Sequence, residues 1–203
     1  MGERQRNRRG QGGRLRQEIL DAAHEILLES GHEAAVTIRG VARQAGIAAQ
    51  SCYLHFATRD QLLWALYERE FEQLRALLAE ASTEGGTPAE RLRACARAFC
   101  AYAVDEPGAY GLLFQARGVA EHAWGEGLPG QPTIDLWIGL VADCVGADRD
   151  AATVATDLWA ALHGSASLRR DLPAFVWPGT QDEAVDRLIE ALVAPEGGTA
   201  PSR

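Results

Sequence analysis

The sequence predicts an all-α protein with a small three-helix head at its N-terminus and a larger helical body behind it. Apolar residues recur three or four positions apart through most of the 203 residues, helix-capping signals separate these stretches, and no polar–apolar alternation reaches the length of a strand. The predicted boundaries are a disordered Arg-rich arm over residues 1–13, the head over 14–60, the body over 61–194 and a disordered tail over 195–203.

The first helix of the head is predicted from about Arg14 to Ser30, and Gly31 follows as its stop signal. Its apolar residues lie on one helical face, and they are Ile19, Ala22, Ala23, Ile26 and Leu27. The arm in front of it contains many arginines and glycines and cannot bury enough apolar area to fold alone. Two roles remain open for the arm, entry into a DNA minor groove or a solvated tail without contacts.

Residues 37–56, TIRGVARQAGIAAQSCYLHF, have the layout of a helix-turn-helix. Thr37 is suited to cap a short helix, and Gly46 can adopt the left-handed conformation that ends it. A second short helix is predicted over Ala49 to Phe56, with three residues expected to pack inward, namely Cys52, Tyr53 and Phe56. In this motif the second helix lies in the DNA major groove, so the pattern predicts sequence-specific DNA binding.

Capping signals divide the remainder of the chain into helices. A Thr58-x-x-Gln61 capping box opens a long helix to about Ser82, and a Thr87-Pro88-x-Glu90 signal opens the next one, to about Asp105. A short apolar piece at Tyr110 to Gln115 precedes a Gly- and Pro-rich loop or irregular helix at Arg117 to Pro132. The last three predicted helices are Thr133 to Val145, Asp148 to Leu172, and Gln181 to Ala194, which follows a Thr180-x-x-Glu183 capping box.

Spaced residues of the head resemble the signature of the TetR family of bacterial transcriptional regulators over about Arg14 to Leu66. They are Thr37, Ala45-Gly46-Ile47, Tyr53-Leu54-His55-Phe56, and Arg59 ahead of Leu62-Leu63. A weaker resemblance covers about the last hundred residues through the Trp159-x-x-x-His163-Gly164 element. The resemblance implies that the body holds a ligand cavity, and that its last two long helices form a four-helix bundle with a second subunit.

Eight residues of the head are candidates for DNA contacts, namely Thr37, Arg39, Ala49, Gln50, Ser51, Tyr53, His55 and Arg59. Tyr53 and His55 match positions that contact phosphates in the family. The candidates for base reading are Arg39, Ala49, Gln50 and Ser51, and the amide of Gln50 can bond to adenine N6 and N7. Each has an ordinary structural alternative. Tyr53 can be a core residue with its hydroxyl at the surface, and Gln50 can be a solvated side chain.

Aromatic residues of the body are candidates for binding an unknown, small apolar effector. They are Phe71, Phe99, Tyr102, Tyr110, Phe114, Trp137, Trp159 and His163. Large aromatic walls with a few polar groups suit such a molecule. Core packing is the alternative for each residue, and we expect Trp159 in the core and His163 as a hydrogen-bonded structural residue.

Charge divides the head from the body. Every basic residue is Arg, and six of the 20 lie in the first sixteen positions, whereas residues 61–203 carry 11 Arg against 21 acidic residues. This disfavours nonspecific nucleic-acid binding by the body. No apolar run approaches the roughly 20 residues of a membrane span, and no secretory signal is evident, so we expect a cytoplasmic protein without membrane contact. The four dispersed cysteines are expected to be mostly buried free thiols.

The expected function is that of a ligand-responsive DNA-binding regulator, most often a repressor released from its operator by a small molecule. Its expected partners are a near-palindromic double-stranded operator, a second copy of the chain and the effector, with no cofactor and no metal. Because the sequence lacks G-x-S-x-G, H-E-x-x-H and a phosphate-cradling Gly loop, catalysis has no support. A helical small-molecule-binding or protein-interaction module without DNA binding is the alternative.

Overall fold

The computed structural model describes residues 11–114 and 129–193. These residues form nine α-helices, a short 3₁₀ helix at Glu33–Ala35 and no strand, which confirms the predicted all-α class. The helices are α1 Gln11–Ser30, α2 Ile38–Gln44, α3 Ala49–His55, α4 Arg59–Ala81, α5 Pro88–Asp105, α6 Pro107–Phe114, α7 Gln131–Ala142, α8 Ala151–Asp171 and α9 Gln181–Leu192. None of these helices combines the length and the apolar character needed to cross a membrane.

The described residues group into two compact units. The head unit consists of residues 11–70 with 106–114, and the body unit consists of residues 71–105 with 129–193. The boundary predicted from the sequence lies at residue 60, with the residues of α6 in the body. The units differ from that division because α4 continues through the boundary without a break and because α6 packs against α1.

The core of the head unit forms where α1 meets α2 and α6. Four of the five predicted apolar residues of α1 are buried, and these are Ile19, Ala22, Ala23 and Leu27. The contact with α6 is made at Gly108, where a methyl group would overlap the carbonyl oxygen of Leu27. Glycine at position 108 therefore allows α6 to approach the backbone of α1 closely.

Two polar contacts connect α1 to the first part of α4 within the head unit. Asp21 forms an ion pair with Arg69 at 2.7 Å, and Nδ1 of His24 lies 2.8 Å from Oε1 of Glu70. The hydrogen bond that protonated His24 donates to Glu70 is the main cause that raises the pKa of His24, against an opposing effect of burial. The negative charges of Glu70 and Glu106 also raise this pKa, and the charge of Arg69 lowers it.

The core of the body unit lies where α8 packs against α5, α7 and α9. The largest fully buried side chain is Trp137 of α7, and Phe99 of α5 meets it edge to face with ring centroids 6.0 Å apart. At the surface, Arg97 of α5 bonds to the carboxylate of Asp186 on α9 at 3.0 Å. The unit thus has an aromatic interior and a charged exterior.

Two predicted capping boxes are confirmed. At the start of α9, the Thr180 hydroxyl accepts from the Glu183 amide, and the Glu183 carboxylate accepts from the Thr180 amide. At the start of α5, the amide of Thr87 donates to Oε2 of Glu90 at 2.9 Å, and the return bond to the Thr87 hydroxyl is 3.3 Å. These side chains satisfy amides that the first turn of a helix leaves without partners.

α4 begins after Thr58 as predicted, and its capping box is half formed. The Gln61 amide donates to the Thr58 hydroxyl at 3.2 Å, whereas Oε1 of Gln61 accepts from the amide of Ala57 and not from that of Thr58. Two other helix starts differ from the prediction by a few residues. α8 begins at Ala151 and not near Asp148, because the side chain of Asp150 accepts from the Ala152 amide. α1 begins at residue 11, inside the predicted arm, since glycine lowers helix propensity without forbidding a helix. The rest of the predicted arm, residues 115–128 with most of the predicted Arg117 to Pro132 segment, and the predicted tail lie outside the described residues.

Three of the four cysteines, Cys52, Cys95 and Cys100, are buried free thiols, as predicted, and Cys144 is partly exposed. Burial raises the pKa of Cys95 and of Cys100 to about 12. Both thiols are therefore protonated near neutral pH, and a protonated thiol is a poor nucleophile. This argues against a redox sensor at these two positions.

Candidate functional site

The first helix of the helix-turn-helix is fixed by the cap that the sequence predicts. Thr37 precedes α2 in an extended conformation, and its Oγ1 accepts from the amide of Gly40 at 3.1 Å. Ile38 and Val41 on the inner face of α2 are buried. The cap and the apolar face together set both the start of α2 and its rotation about its own axis.

The turn between α2 and α3 closes at Gly46, which has a φ of 67°. The amide of Gly46 donates to the Arg43 carbonyl at 3.2 Å, and the amide of Ile47 donates to the Ala42 carbonyl at 2.9 Å. These two bonds form a Schellman motif, in which the left-handed residue satisfies the last carbonyls of the helix. The predicted role of Gly46 is confirmed, and the turn fixes the direction in which α3 leaves α2.

One face of α3 is turned to solvent. It carries Gln50, Tyr53 and Leu54, and the exposed fractions of Tyr53 and Leu54 are 44% and 79%. The opposite face is buried through Cys52 and Phe56. The expectation that Tyr53 packs inward is wrong, because Cys52 and Phe56, four residues apart, already occupy the inner face and Tyr53 lies about 100° around the helix from Cys52.

Four of the predicted DNA contacts border one open groove on the head unit. Thr37, Arg39, Tyr53 and Arg59 line it together with Thr58. Residues from the starts of α2 and α4 and from the middle of α3 therefore meet at one surface. Hydroxyl, phenol and guanidinium groups in this arrangement suit the phosphate oxygens of a nucleic-acid backbone.

The guanidinium of Arg59 donates hydrogen bonds to backbone carbonyls of the protein itself. Its Nε donates to the carbonyl of Val36 at 2.8 Å, and its Nη2 donates to the carbonyl of Glu33 at 2.6 Å. These bonds connect the start of α4 to the segment that precedes α2. Arg59 thus holds the start of α4 against the segment that leads into the helix-turn-helix. Its predicted phosphate contact stays a prediction.

The remaining predicted DNA contacts are accessible to different degrees. Gln50 is exposed, whereas Ala49, Ser51 and His55 are partly exposed. Ala48 precedes α3 and makes no side-chain cap.

Leu54 is a further candidate for DNA contact, in addition to the eight residues predicted from the sequence. It lies on the outward face of α3 and is more exposed than Tyr53 on the same face. An exposed leucine next to Gln50 is suited to the methyl groups of thymine in the major groove. The sequence contains the signal for this contact, because a helical residue two positions from both Cys52 and Phe56 cannot share their inner face.

The eight predicted effector-binding residues do not all belong to one unit. The body unit holds Phe71, Phe99, Tyr102 and Trp137, all buried, and Trp159 and His163, which are only half-buried. Tyr110 and Phe114 belong to the head unit, since α6 packs on α1. Their rings contact each other with centroids 4.8 Å apart.

The expectation that Trp159 is a core residue is wrong. Leu158 and Leu162 occupy the inner face of α8, which leaves Trp159 at its edge with its ring centroid 5.9 Å from that of His163. Burial lowers the pKa of His163, and the nearby charge of Arg170 lowers it further. His163 is therefore neutral at pH 7 and can act as both a donor and an acceptor of hydrogen bonds.

Two family models match the chain, and together they cover most of it. Residues 19–66 match the model described as bacterial regulatory proteins, tetR family. Residues 92–192 match the model described as tetracyclin repressor-like, C-terminal domain. The first match contains α2, the turn and α3, and the second contains most of the body unit.

Curated relatives include a named repressor. The chain is 40% identical over 77 residues to the HTH-type transcriptional repressor KstR of Mycolicibacterium smegmatis. That match covers 38% of this chain and 37% of the relative. The chain therefore matches little more than a third of the length of the curated relative.

Solved structures share the fold over nearly the whole chain. A protein of unknown function from Rhodococcus sp. RHA1 is 26% identical, with a TM-score of 0.71 over 88% of this chain and 95% of the other. The transcriptional regulator FadR from Bacillus subtilis, solved in complex with stearoyl-CoA, is 16% identical, with a TM-score of 0.65 over 91% of this chain and 99% of the other. At that identity the FadR likeness concerns the fold.

Proposed function

The chain belongs to the TetR family of bacterial regulatory proteins, and from this premise we propose that it is a ligand-responsive, sequence-specific DNA-binding regulator. We propose further that it acts in the cytoplasm as a repressor that a small molecule releases from its operator. The outward face of α3, with Gln50, Tyr53 and Leu54 beside the groove, is the observation that carries this proposal.

Base readout is assigned to the outward face of α3. The Gln50 amide donates to and accepts from one adenine, and Leu54 contacts a neighbouring thymine methyl. Tyr53 and Thr37 bond to phosphates along the groove and set the register of the helix on the duplex. Arg39, which the sequence placed among the base-reading candidates, is assigned to phosphates as well because it lines the same groove. Ala49, Ser51 and His55 lie at the edges of the same helix and complete the contact.

The operator is near-palindromic and is bound by a homodimer. One head buries too little surface for high specificity, whereas two heads related by a twofold axis contact half-sites about one helical turn or a multiple of it apart. The body unit offers an apolar surface for pairing. We name it the α8–loop patch, and its residues, with exposed fractions of 49%, 49%, 57% and 91%, are Leu168, Leu172, Phe175 and Val176.

The loop that carries Phe175 and Val176 is held in place by its own hydrogen bonds. The indole of Trp177 donates to the Leu172 carbonyl at 3.3 Å, and a guanidinium nitrogen of Arg169 donates to the Gly179 carbonyl at 3.1 Å. The ring of Phe175 also packs against Trp177 at 4.7 Å between centroids. An apolar surface on an ordered loop costs little entropy to dock, which supports its use in a dimer.

Release by the effector follows from a two-state equilibrium. An effector that binds more tightly to the conformation with misplaced heads shifts the population away from DNA, and DNA must weaken effector binding by the same factor. The name of the KstR relative supports repression, and the stearoyl-CoA complex of FadR shows that a protein with this fold accommodates a large ligand. The identity of this chain's effector is a separate question.

Selection of bound duplexes from a random DNA pool tests the proposal. We expect a near-palindromic consensus, followed by at least a tenfold loss of affinity for that consensus in Gln50→Ala and little change on unrelated DNA, since a bidentate base contact is worth about 1 to 3 kcal/mol. Gln73→Ala, an exposed glutamine of α4 in the body unit, is the matched control and should bind as the parent protein does. Equal losses on all duplexes would remove Gln50 from base readout, and a pool that yields no consensus would leave the protein-interaction alternative.

A further inference from the structure

α7 carries two buried polar atoms without hydrogen-bond partners. Among the described residues, neither Oγ1 of Thr133 nor Nε1 of Trp137 has a hydrogen-bond partner. Thr133 is 5% exposed and Trp137 is 0% exposed. A spacing of four residues places both side chains on the same face of the helix.

Unpaired polar atoms inside a protein are rare, because each one loses its bonds to water without gaining others. The indole nitrogen of Trp137 is a donor only, so its missing partner must be an acceptor. The hydroxyl of Thr133 can donate or accept. One oxygen atom with two lone pairs satisfies both groups at once, whereas a hydrocarbon satisfies neither.

The surroundings of this pair are aromatic. The ring of Phe99 meets the Trp137 ring edge to face at 6.0 Å. Just before α7, a methyl group on Gly130 would lie 2.9 Å from the ring of Phe71, so this ring packs directly on the backbone there. A ligand that reaches Thr133 and Trp137 is therefore apolar over most of its surface.

The charge of the ligand follows from the side chains established next to this pair. In the described part of the body unit, buried guanidinium nitrogens occur on Arg169 and Arg170 of α8, whereas the ring in contact with Trp137 is that of Phe99. A carboxylate placed beside Trp137 would lose its hydration without gaining a positive partner, which is strongly unfavourable. An uncharged oxygen avoids this cost.

We infer that the effector of the regulator is an uncharged, largely apolar molecule whose carbonyl or ether oxygen accepts hydrogen bonds from Nε1 of Trp137 and from the hydroxyl of Thr133. The inference rests on the proposed function, because it takes the ligand to be the effector of the regulator. It deepens that proposal by naming the ligand class and its two polar contacts. The binding event itself does not require DNA.

Three small probes of similar size separate the possible chemistries. Cyclohexanone has a neutral oxygen, cyclohexanecarboxylate has a charge, and methylcyclohexane has no polar atom. Each is titrated into the free, ¹⁵N-labelled protein while the indole N–H resonances of its five tryptophans are followed. We expect cyclohexanone to move the resonance of Trp137 downfield as the hydrogen bond forms, and we expect the other two probes to leave it in place.

Two conservative variants test the polar contacts. Thr133→Val keeps the shape of the side chain without its hydroxyl, and Trp137→Phe keeps an aromatic ring without its N–H. Each should reduce the ratio of cyclohexanone to methylcyclohexane affinity about three- to tenfold, the range expected for one hydrogen bond. Trp64→Phe is the matched control, since Trp64 lies partly exposed on α4 in the head unit and is not a candidate effector contact, and it should leave the ratio unchanged.

The inference is overturned if cyclohexanone leaves the Trp137 resonance unmoved, if cyclohexanecarboxylate binds as tightly as cyclohexanone, or if Thr133→Val keeps the parent ratio. Should Trp137→Phe fail to fold, the resonance of the parent protein and the Thr133→Val ratio still decide the question. Failure of the proposed function is recognised separately, because it shows in the DNA selection and these titrations contain no DNA.

Discussion

The head unit and the body unit present their candidate sites in opposite ways. In the head unit the candidates are surface residues, close in sequence, on two short helices and a helix start, and Gln50, Tyr53 and Leu54 stand out to solvent. In the body unit the candidates come from distant helices, and Phe99 and Trp137 meet only in the core. A site for a long rigid partner can be displayed on a motif, whereas a site for a small apolar molecule has to be enclosed by several helices.

Both units contain buried polar atoms without partners among the described residues, Oε2 of Glu33 in the head unit among them, but the groups next to the two candidate sites are paired differently. In the head unit, Arg59 bonds to two backbone carbonyls, and His24 bonds to Glu70. In the body unit, the polar atoms of Thr133 and Trp137 lack partners among the described residues. Satisfied buried groups hold a surface in one conformation, whereas unsatisfied ones gain stability when a ligand arrives.

The largest effect is expected from a charge placed in the α8–loop patch. Phe175→Glu should convert the dimer to a monomer and reduce operator affinity by on the order of 100-fold or more, because the second head no longer binds at high effective concentration. Sedimentation and DNA binding measure the two effects on the same sample. The matched control is Val104→Glu on α5, which changes a valine that is 59% exposed.

If Phe175→Glu sediments as a dimer with full operator affinity, the patch is not the pairing surface. A monomer that keeps full affinity would instead show that a single head is sufficient for operator binding. This result would contradict the proposal that two heads bind two half-sites. Equal dissociation in the Val104→Glu control would mean that the effect is not specific to the patch.

A smaller effect is expected where α6 enters the head unit. Gly108→Ala places a methyl group against the Leu27 carbonyl, and the overlap should lower the free energy of unfolding by about 1 to 3 kcal/mol. Gly139→Ala on α7 meets open space, so better helix propensity should make it neutral or more stable by up to about 1 kcal/mol. Urea unfolding of both variants measures the difference, and equal midpoints would show that α6 does not pack tightly on α1.

A pH-dependent effect is expected at His24. Because its pKa is raised in the folded protein, chiefly by the hydrogen bond that it donates to Glu70, its stabilising contribution is fully present below the unfolded pKa near 6.5 and is lost as pH rises through the folded value. His24→Gln should therefore cost more stability at pH 6 than at pH 9, by about 1 kcal/mol or more for a bond between charged groups. His32→Gln, which changes an exposed histidine, is the control, and a cost for His24→Gln that does not vary with pH would contradict the charged pair.

Local signals allowed most of the head and the helix order to be predicted. The cap at Thr37, the left-handed Gly46 and the Thr180 box depend on neighbours within a few residues, and all three are confirmed. The placement of α6 could not be predicted, because it depends on a contact between Gly108 and Leu27, which are distant in sequence. Long-range packing of this kind leaves no periodic signal in the sequence.

The candidate sites show the same difference between local signals and long-range packing. Gln50 could be placed on the outer face of α3 from its helical position alone. The internal bonds of Arg59 to the carbonyls of Val36 and Glu33 could not, since an arginine before a helix gives no indication that its guanidinium turns back. The same holds for Thr133, whose burial without a partner depends on the whole body unit.

Binding of the selected duplex as a function of salt is the most direct test of the central claim that this chain is a dimeric, sequence-specific DNA-binding regulator. The account predicts two chains per duplex and a logarithm of affinity that falls linearly with the logarithm of salt concentration, because phosphate contacts release counterions. A scrambled duplex of the same composition should bind at least 1,000-fold more weakly at physiological salt, the lower end of typical specificity ratios. Equal affinity for the two duplexes, or no binding to either at low ionic strength, would contradict the account.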